Sequence, residues 1–368
     1  MDSVIKQDKR NVGIELLRIV AMLMIVLLHF ICHTFSDVGG GKTSSANVVA
    51  YHFLRAVTLV CVECYAMISG YVMVYSKPKY SRLLGIWLEV MFYAVGICVV
   101  FHVVGKAVPR SIWLQNLHPV TARCYWYLTA YFGMYVLLPF VLPTLKNMPL
   151  KSLMVTGGML FFFYSCLAML NGRLFGIESG YSTIWLLVCF IWGAAIRRAQ
   201  DAGQFQLSSW ILLLCLALIL IVFMVNACLT AFHPHLFSTK INEVMSKLCR
   251  EYYSPLTVLY AVVLMGLFTR MKIGSQHLKA VILWFSPLTL GVYLIHCHRC
   301  IWLRYIKLDE KLSIANYSVT GFVSRLLGIG LGVYLAASCV DFLRLELFKW
   351  LKIKQISEKI CHGLDESL

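Results

Sequence analysis

Ten runs of apolar residues, most of them close to the length that a bilayer core demands, divide the 368-residue chain almost end to end. They fall at 14-35, 52-75, 83-105, 125-143, 150-170, 182-196, 208-229, 252-269, 278-298 and 318-341. A helix needs roughly 20 apolar residues to cross about 30 Å of hydrocarbon, and in lipid each backbone amide must be satisfied within its own segment. The pattern predicts an all-α, polytopic integral membrane protein with about ten transmembrane helices and no separate soluble domain. Residues 1-368 read as a single membrane-embedded domain with short cytoplasmic tails at about 1-13 and 345-368. The sixth run is short and Pro287 interrupts the ninth, so tilt or discontinuity is expected in both.

Composition agrees: 60% of residues are hydrophobic, 14% are charged, and the mean hydropathy is +0.76. That excludes a disordered chain and argues against a soluble globule. The first run follows Lys9-Arg10 and ends in HTFSD, not in a small-residue cleavage site, so it reads as a retained first span and not as a signal peptide. The net charge of +16 is spread over short segments between the runs. It therefore suits anionic headgroups and an anionic substrate, and no nucleic acid is expected as a partner. Most of the 14 cysteines, among them Cys98, Cys166, Cys189, Cys215 and Cys339, lie inside apolar runs, where cysteine serves as a small buried residue.

Alternate connecting segments differ in cations. Those around Lys6-Arg10, Lys77-Arg82, Lys146-Lys151, Arg197-Arg198, Arg270-Lys279 and Arg344-Lys359 hold 18 lysines and arginines, against 12 on the other side, where Lys42, Arg123, Arg250, Arg304, Lys307 and Lys311 belong. The positive-inside rule places both termini in the cytoplasm of a cell-membrane protein.

Within the spans, ionisable residues are costly and read as functional. Arg18 and His29 share the first run; eleven positions bring them to one helix face, about 16 Å apart along the axis. Glu63 lies near the middle of the second run, where it needs neutralising, and His29 or Arg18 is the expected partner. A Glu-His pair would fix one imidazole tautomer and raise its basicity, as general-base catalysis requires, and it would equally suit a proton-coupled transporter. Ser69-Gly70 reads as a small-residue contact between helices or as cavity lining. Lys77, Lys79 and Arg82 flank the start of the third span, where a helix N-terminus adds its dipole and free amides to their charge; phosphate or pyrophosphate is the ligand such a site takes. Glu89 is expected in the same cavity. Tyr125-Trp126-Tyr127 suits an aromatic belt or a sugar-stacking face. His296, Cys297, His298 and Cys300 fall within five residues, but one compact cluster without a second half makes a weak metal site, and none is expected.

Together these segments resemble the integral-membrane acyltransferase-3 family, especially its bacterial surface-polysaccharide O-acetyltransferases. The family opens with Arg, ten residues and His, matched by Arg18 and His29; its V-[DE]-x-F-F-x-x-S-G-[FY] motif is approached by VECYAMISGY, with Glu63, Ser69, Gly70 and Tyr71 in place and Tyr65 and Ala66 for the two Phe. The basic residues Lys77, Lys79 and Arg82 follow, then Trp126-Tyr127-Leu128 for W-[FY]-L, and Tyr293, Leu294 and His296 for Y-L-x-H. Many members carry a glutamate shortly after the Trp; Tyr131 stands near that position, so no acidic role carries over.

The resemblance implies acyl transfer from acetyl-CoA, or another short acyl-CoA, to a hydroxyl of a cell-surface or lipid-linked saccharide. It implies His29 as general base or acyl carrier, Glu63 orienting it, Arg18 stabilising an oxyanion or phosphate, and Lys77, Lys79 and Arg82 binding the donor. Ser69, Trp126 and His296 would line the cavity or touch the acceptor. Acetyl-CoA would act as co-substrate, with no tightly bound cofactor. The competing expectations are a proton-coupled transporter or flippase using the same ionisable residues, and a non-catalytic scaffold of envelope assembly; against the transporter, Arg-x10-His is not repeated in the second half.

Overall fold

The computed structural model describes residues 10–34, 43–205, 207–233, 239–302 and 317–367. Lys6, Lys9, Lys42, Arg304, Lys307 and Lys311, used above for orientation, lie outside the described residues, as does most of the 299-317 connection. The helices are α1 (Val12–Thr34), α2 (Ser45–Leu59), α3 (Cys61–Met73), α4 (Tyr80–Val103), α5 (Arg110–Leu117), α6 (Trp126–Asn147), α7 (Leu150–Phe161), α8 (Thr183–Asp201), α9 (Ser209–Phe232), α10 (Thr239–Arg250), α11 (Pro255–Thr269), α12 (Gln276–Phe285), α13 (Thr289–His296), α14 (Val319–Trp350), α15 (Ile353–Ile360) and α16 (His362–Glu366).

Among the described residues nine helices or joined helix pairs are long and apolar enough to cross a membrane. A tenth span exists if Leu174–Gly180 and Thr183–Asp201, bent by 88° at their junction, count as one. The chain is an all-α polytopic membrane protein, and the short sixth run proves to be the bent one. The break in the ninth run is a 3-10 turn, Ser286–Leu288, with Pro287 inside it, between α12 and α13; proline's missing amide and fixed φ suit it to such a turn. Serine hydroxyls start six of these helices: Ser44, Ser182, Ser208, Ser254, Ser275 and Ser318 each accept from a backbone amide two or three residues on.

Two contacts fix the site's supports. Between α3 and α8, a methyl added to Gly70 would come within 1.9 Å of the Phe190 carbonyl oxygen, and one on Gly193 within 1.9 Å of the Met67 oxygen. Small residues let these backbones touch, and Gly70 is the helix contact expected from Ser69-Gly70. Between α13 and α14, a methyl on Gly291 would lie 2.0 Å from Asp341 Cγ. Asp341 accepts from Tyr93 Oη at 2.7 Å and from Arg344, which also reaches Glu89 Oε1 at 2.9 Å. Glu89 is thus an anchor between α4 and α14, not part of the expected cavity.

A candidate acyl-transfer site

His29 projects from α1 toward the end of α13, where His296 is the last helical residue. His296 is buried, and its Nδ1–H donates to the Val292 carbonyl at 2.6 Å. That bond assigns the proton and leaves Nε2 as an acceptor, 3.0 Å from His29 Nδ1. His29 Nδ1–H therefore donates to His296, and the lone pair of the neutral ring falls on His29 Nε2. Cys297 Sγ lies 3.5 Å from His29 Nδ1 and 3.4 Å from His296 Nε2, and the Trp302 ring stands edge-on to His29 at 5.3 Å. The ligand atoms of His29, His296 and Cys297 all lie within 4.8 Å of one another and could hold a divalent cation of borderline softness.

Two cavities meet at His29. The larger, about 850 Å³, carries Arg55, Arg123, Arg250 and Arg299 on its walls with Trp126, Tyr181 and Tyr252. The smaller, about 90 Å³, is a slot walled by Met22, Ile25, Tyr65, Tyr127, Thr289 and Tyr293 among others. Met22, on its wall, stands one helical turn from Arg18. Trp126 and Tyr293 border both cavities. Trp126, Tyr181 and Tyr252 form a cluster of mutually inclined rings with centroids 4.6 to 6.1 Å apart, an aromatic platform whose separate faces border the larger cavity.

The expected Glu63–His29 pair does not form. Glu63, 0% exposed, accepts from Trp185 Nε1 at 3.0 Å, and its other oxygen meets no hydrogen-bond partner among the described residues. The histidine's carboxylate is replaced by His296, which supports His29 from behind instead of lining the cavity. Arg18 bonds Glu15 at 2.8 Å, and Tyr65 Oη, from the slot wall, donates to the Arg18 carbonyl at 2.8 Å. Ser69 Oγ donates to the Tyr65 carbonyl within α3 and lines neither cavity.

Lys77, Lys79 and Arg82 are exposed and border neither cavity. A row of rings, Tyr135, Tyr131, Tyr127 and Tyr65, with successive centroids 6.0 to 6.4 Å apart, runs from Lys79, whose carbonyl accepts from Tyr135 Oη, to Arg18, whose carbonyl accepts from Tyr65 Oη. The α4 N-terminus is not open to phosphate: Asp365, on α16, accepts from the Ser81 amide at 3.2 Å and from its hydroxyl, and Tyr135 Oη accepts from the Lys79 amide. What little burial Asp365 has raises its pKa; the Ser81 bonds outweigh it and hold the carboxyl below the usual carboxylate range.

Residues absent from the sequence reading complete the picture: Glu15 for Arg18, Trp185 for Glu63, and above all Arg55. The signal for Arg55 was present, an arginine in the fourth position of the second apolar run. Only the fold joins it to Arg250, nearly 200 residues away.

A histidine pair where a narrow slot and a wide vestibule share a wall is the candidate site. Residues 11–340 match the acyltransferase-3 family, described as an acyltransferase domain, and the chain belongs to that family: it is a membrane acyltransferase. No curated protein and no solved structure gives a match.

Proposed function

We propose that this protein moves an acetyl or other short acyl group from acyl-CoA to a hydroxyl of a cell-surface or lipid-linked saccharide, across the site where the two cavities meet at His29. The observation that carries this reading is the His29–His296–Val292 hydrogen-bond chain, which holds a basic imidazole on the wall that the two cavities share. The acceptor hydroxyl gives its proton to His29 Nε2 as its oxygen attacks the thioester carbonyl. The tetrahedral intermediate collapses, the C–S bond breaks, and the CoA thiolate takes the proton back from His29. The products are an O-ester and free CoA.

The narrow slot suits an extended acyl-pantetheine arm, and the basic segment at the Arg18 end suits the donor's phosphates, held by side-chain charge because Asp365 already caps α4. The excess of cations at that end supports a cytosolic donor side, with both termini there, and a vestibule facing the other side of the cell membrane. Purified protein with labelled acetyl-CoA tests the reading: slow thioester hydrolysis is expected, reduced at least about 100-fold in His29→Ala. Absence of CoA binding, or hydrolysis indifferent to His29→Ala, would sink it.

A further inference from the structure

The vestibule is built for a negative charge. Four of the described residues on its wall are arginines and one, Glu251, is acidic. The rim arginines have their own partners: Arg123 reaches Glu178 at 3.6 Å and Arg299 reaches Gln115 at 3.3 Å. Arg55 and Arg250, both half-buried, border the same space. Arg250 donates to His52 Nδ1 at 3.1 Å, an uncharged acceptor, and Arg55 Nε is buried with no hydrogen-bond partner among the described residues, while the rest of its guanidinium is held by Cys32, Tyr51 and the nearby Glu251. Two half-buried like charges beside a single carboxylate are costly unless an anion joins them. Arginine's planar fork is the side chain that grips a carboxylate or phosphate with two parallel bonds. The Trp126–Tyr181–Tyr252 platform borders the same space, and a sugar ring stacks on such faces.

We infer that the vestibule binds an anionic saccharide: the acceptor carries an oxyanion, a sugar carboxylate or a sugar-linked phosphate, which Arg55 and Arg250 clamp while the ring rests on the aromatic platform with a hydroxyl toward His29. The inference deepens the acyl-transfer reading and names the class of its acceptor. The clamp fixes which hydroxyl reaches the base, so regiochemistry follows from the separation between oxyanion and hydroxyl on the sugar.

The test is thermal unfolding of the full-length protein in lipid nanodiscs, titrated at constant ionic strength with glucose, glucuronate, glucose 1-phosphate and CoA. Glucuronate or glucose 1-phosphate is expected to raise the unfolding temperature saturably where glucose does not, and the stronger of the two identifies the oxyanion. Arg55→Gln and Arg250→Gln each weaken that response about tenfold or more and leave the CoA response intact, which also shows that they fold. Arg55→Lys, with the charge kept and the fork lost, falls between. If neither anionic sugar outperforms glucose, or if the Gln variants lose the CoA response instead, the inference is overturned; in the second case the vestibule holds donor phosphates. A wild-type protein that responds to anionic sugars but never hydrolyses acetyl-CoA would keep the anionic-saccharide site and remove the acyl-transfer reading.

Discussion

His29 Nδ1 and His296 Nε2 lie 3.0 Å apart although 267 residues separate them in the chain. Because His296 spends its other nitrogen on the Val292 carbonyl, it can only accept from His29, and one tautomer of His29 follows. His296→Gln is expected to lower the rate of acetyl-CoA turnover roughly 10- to 100-fold with little change in donor KM, and to broaden the pH profile as both His29 tautomers populate. His29→Ala costs more. A His296→Gln enzyme with wild-type rate and pH profile would remove the relay.

Cys297 decides between the two chemistries that the His29–His296–Cys297 cluster could carry. In a hydrogen-bonded relay Cys297 is a neighbour, so Cys297→Ser should keep most of the activity and prolonged dialysis against EDTA should change little. If instead the three atoms ligate a metal, chelation abolishes turnover, and elemental analysis of the purified protein finds about one zinc per chain.

We read Glu63 as a structural residue, since it bonds Trp185 and borders neither cavity. Glu63→Gln keeps the oxygen that accepts from Trp185 and removes a buried carboxyl whose second oxygen is unpartnered, so stability should hold or rise and turnover should stay within a few-fold of wild type. Glu63→Leu strands the Trp185 indole N–H in the α3–α8 contact at a cost of about 1–3 kcal/mol. Thermal unfolding and labelled acetyl-CoA turnover of both variants check this. Loss of turnover in a well-folded Glu63→Gln would return Glu63 to the catalytic site.

The spans were legible because length and apolarity alone mark a segment that lipid can accept, and even the bend before α8 left a trace in the shortness of its run. His29, His296 and Trp126 could be picked out as candidates because ionisable and aromatic groups in such runs are costly or amphipathic. Their partners could not. Which face of α3 carries Glu63 toward α8 depends on the rotation set by Gly70 against Phe190 and Gly193 against Met67, a packing property with no one-dimensional signature. Likewise Arg55 and Arg250 stand far apart in sequence, and the phosphate site expected at α4 is capped by Asp365 from the far end of the chain.

Arg344 holds the buried cluster against which α13 rests. It is 6% exposed, Asp341 0%, and it bonds both Asp341 and Glu89. Arg344→Met leaves the buried Asp341 and the partly buried Glu89 without their cation and should cost about 3–5 kcal/mol, read as a lowered unfolding temperature. Gly291→Ala drives a methyl into the Asp341 carboxyl, so α13 must move and His296 with it. That variant should lose turnover out of proportion to its loss of stability; a parallel loss of both would show that α13 position and catalysis are uncoupled.

The donor site is tested by Lys77, Lys79 and Arg82 together. All three side chains are exposed, so no single one is held in a fixed geometry, and each contributes charge more than a directed bond. Replacing all three with Gln should therefore raise the apparent KM for acetyl-CoA several-fold, more strongly at low salt, and leave kcat unchanged, because on the proposed route the acyl carbon reacts at His29 and none of the three borders either cavity there. Asp365→Asn keeps a cap for the Ser81 amide but removes a negative charge beside Lys79, so it should move KM the other way. A triple variant with unchanged KM at low salt would show that the donor's phosphates bind elsewhere. A lowered kcat at saturating donor would mean that the basic segment reaches the reacting groups, which its separation from both cavities argues against.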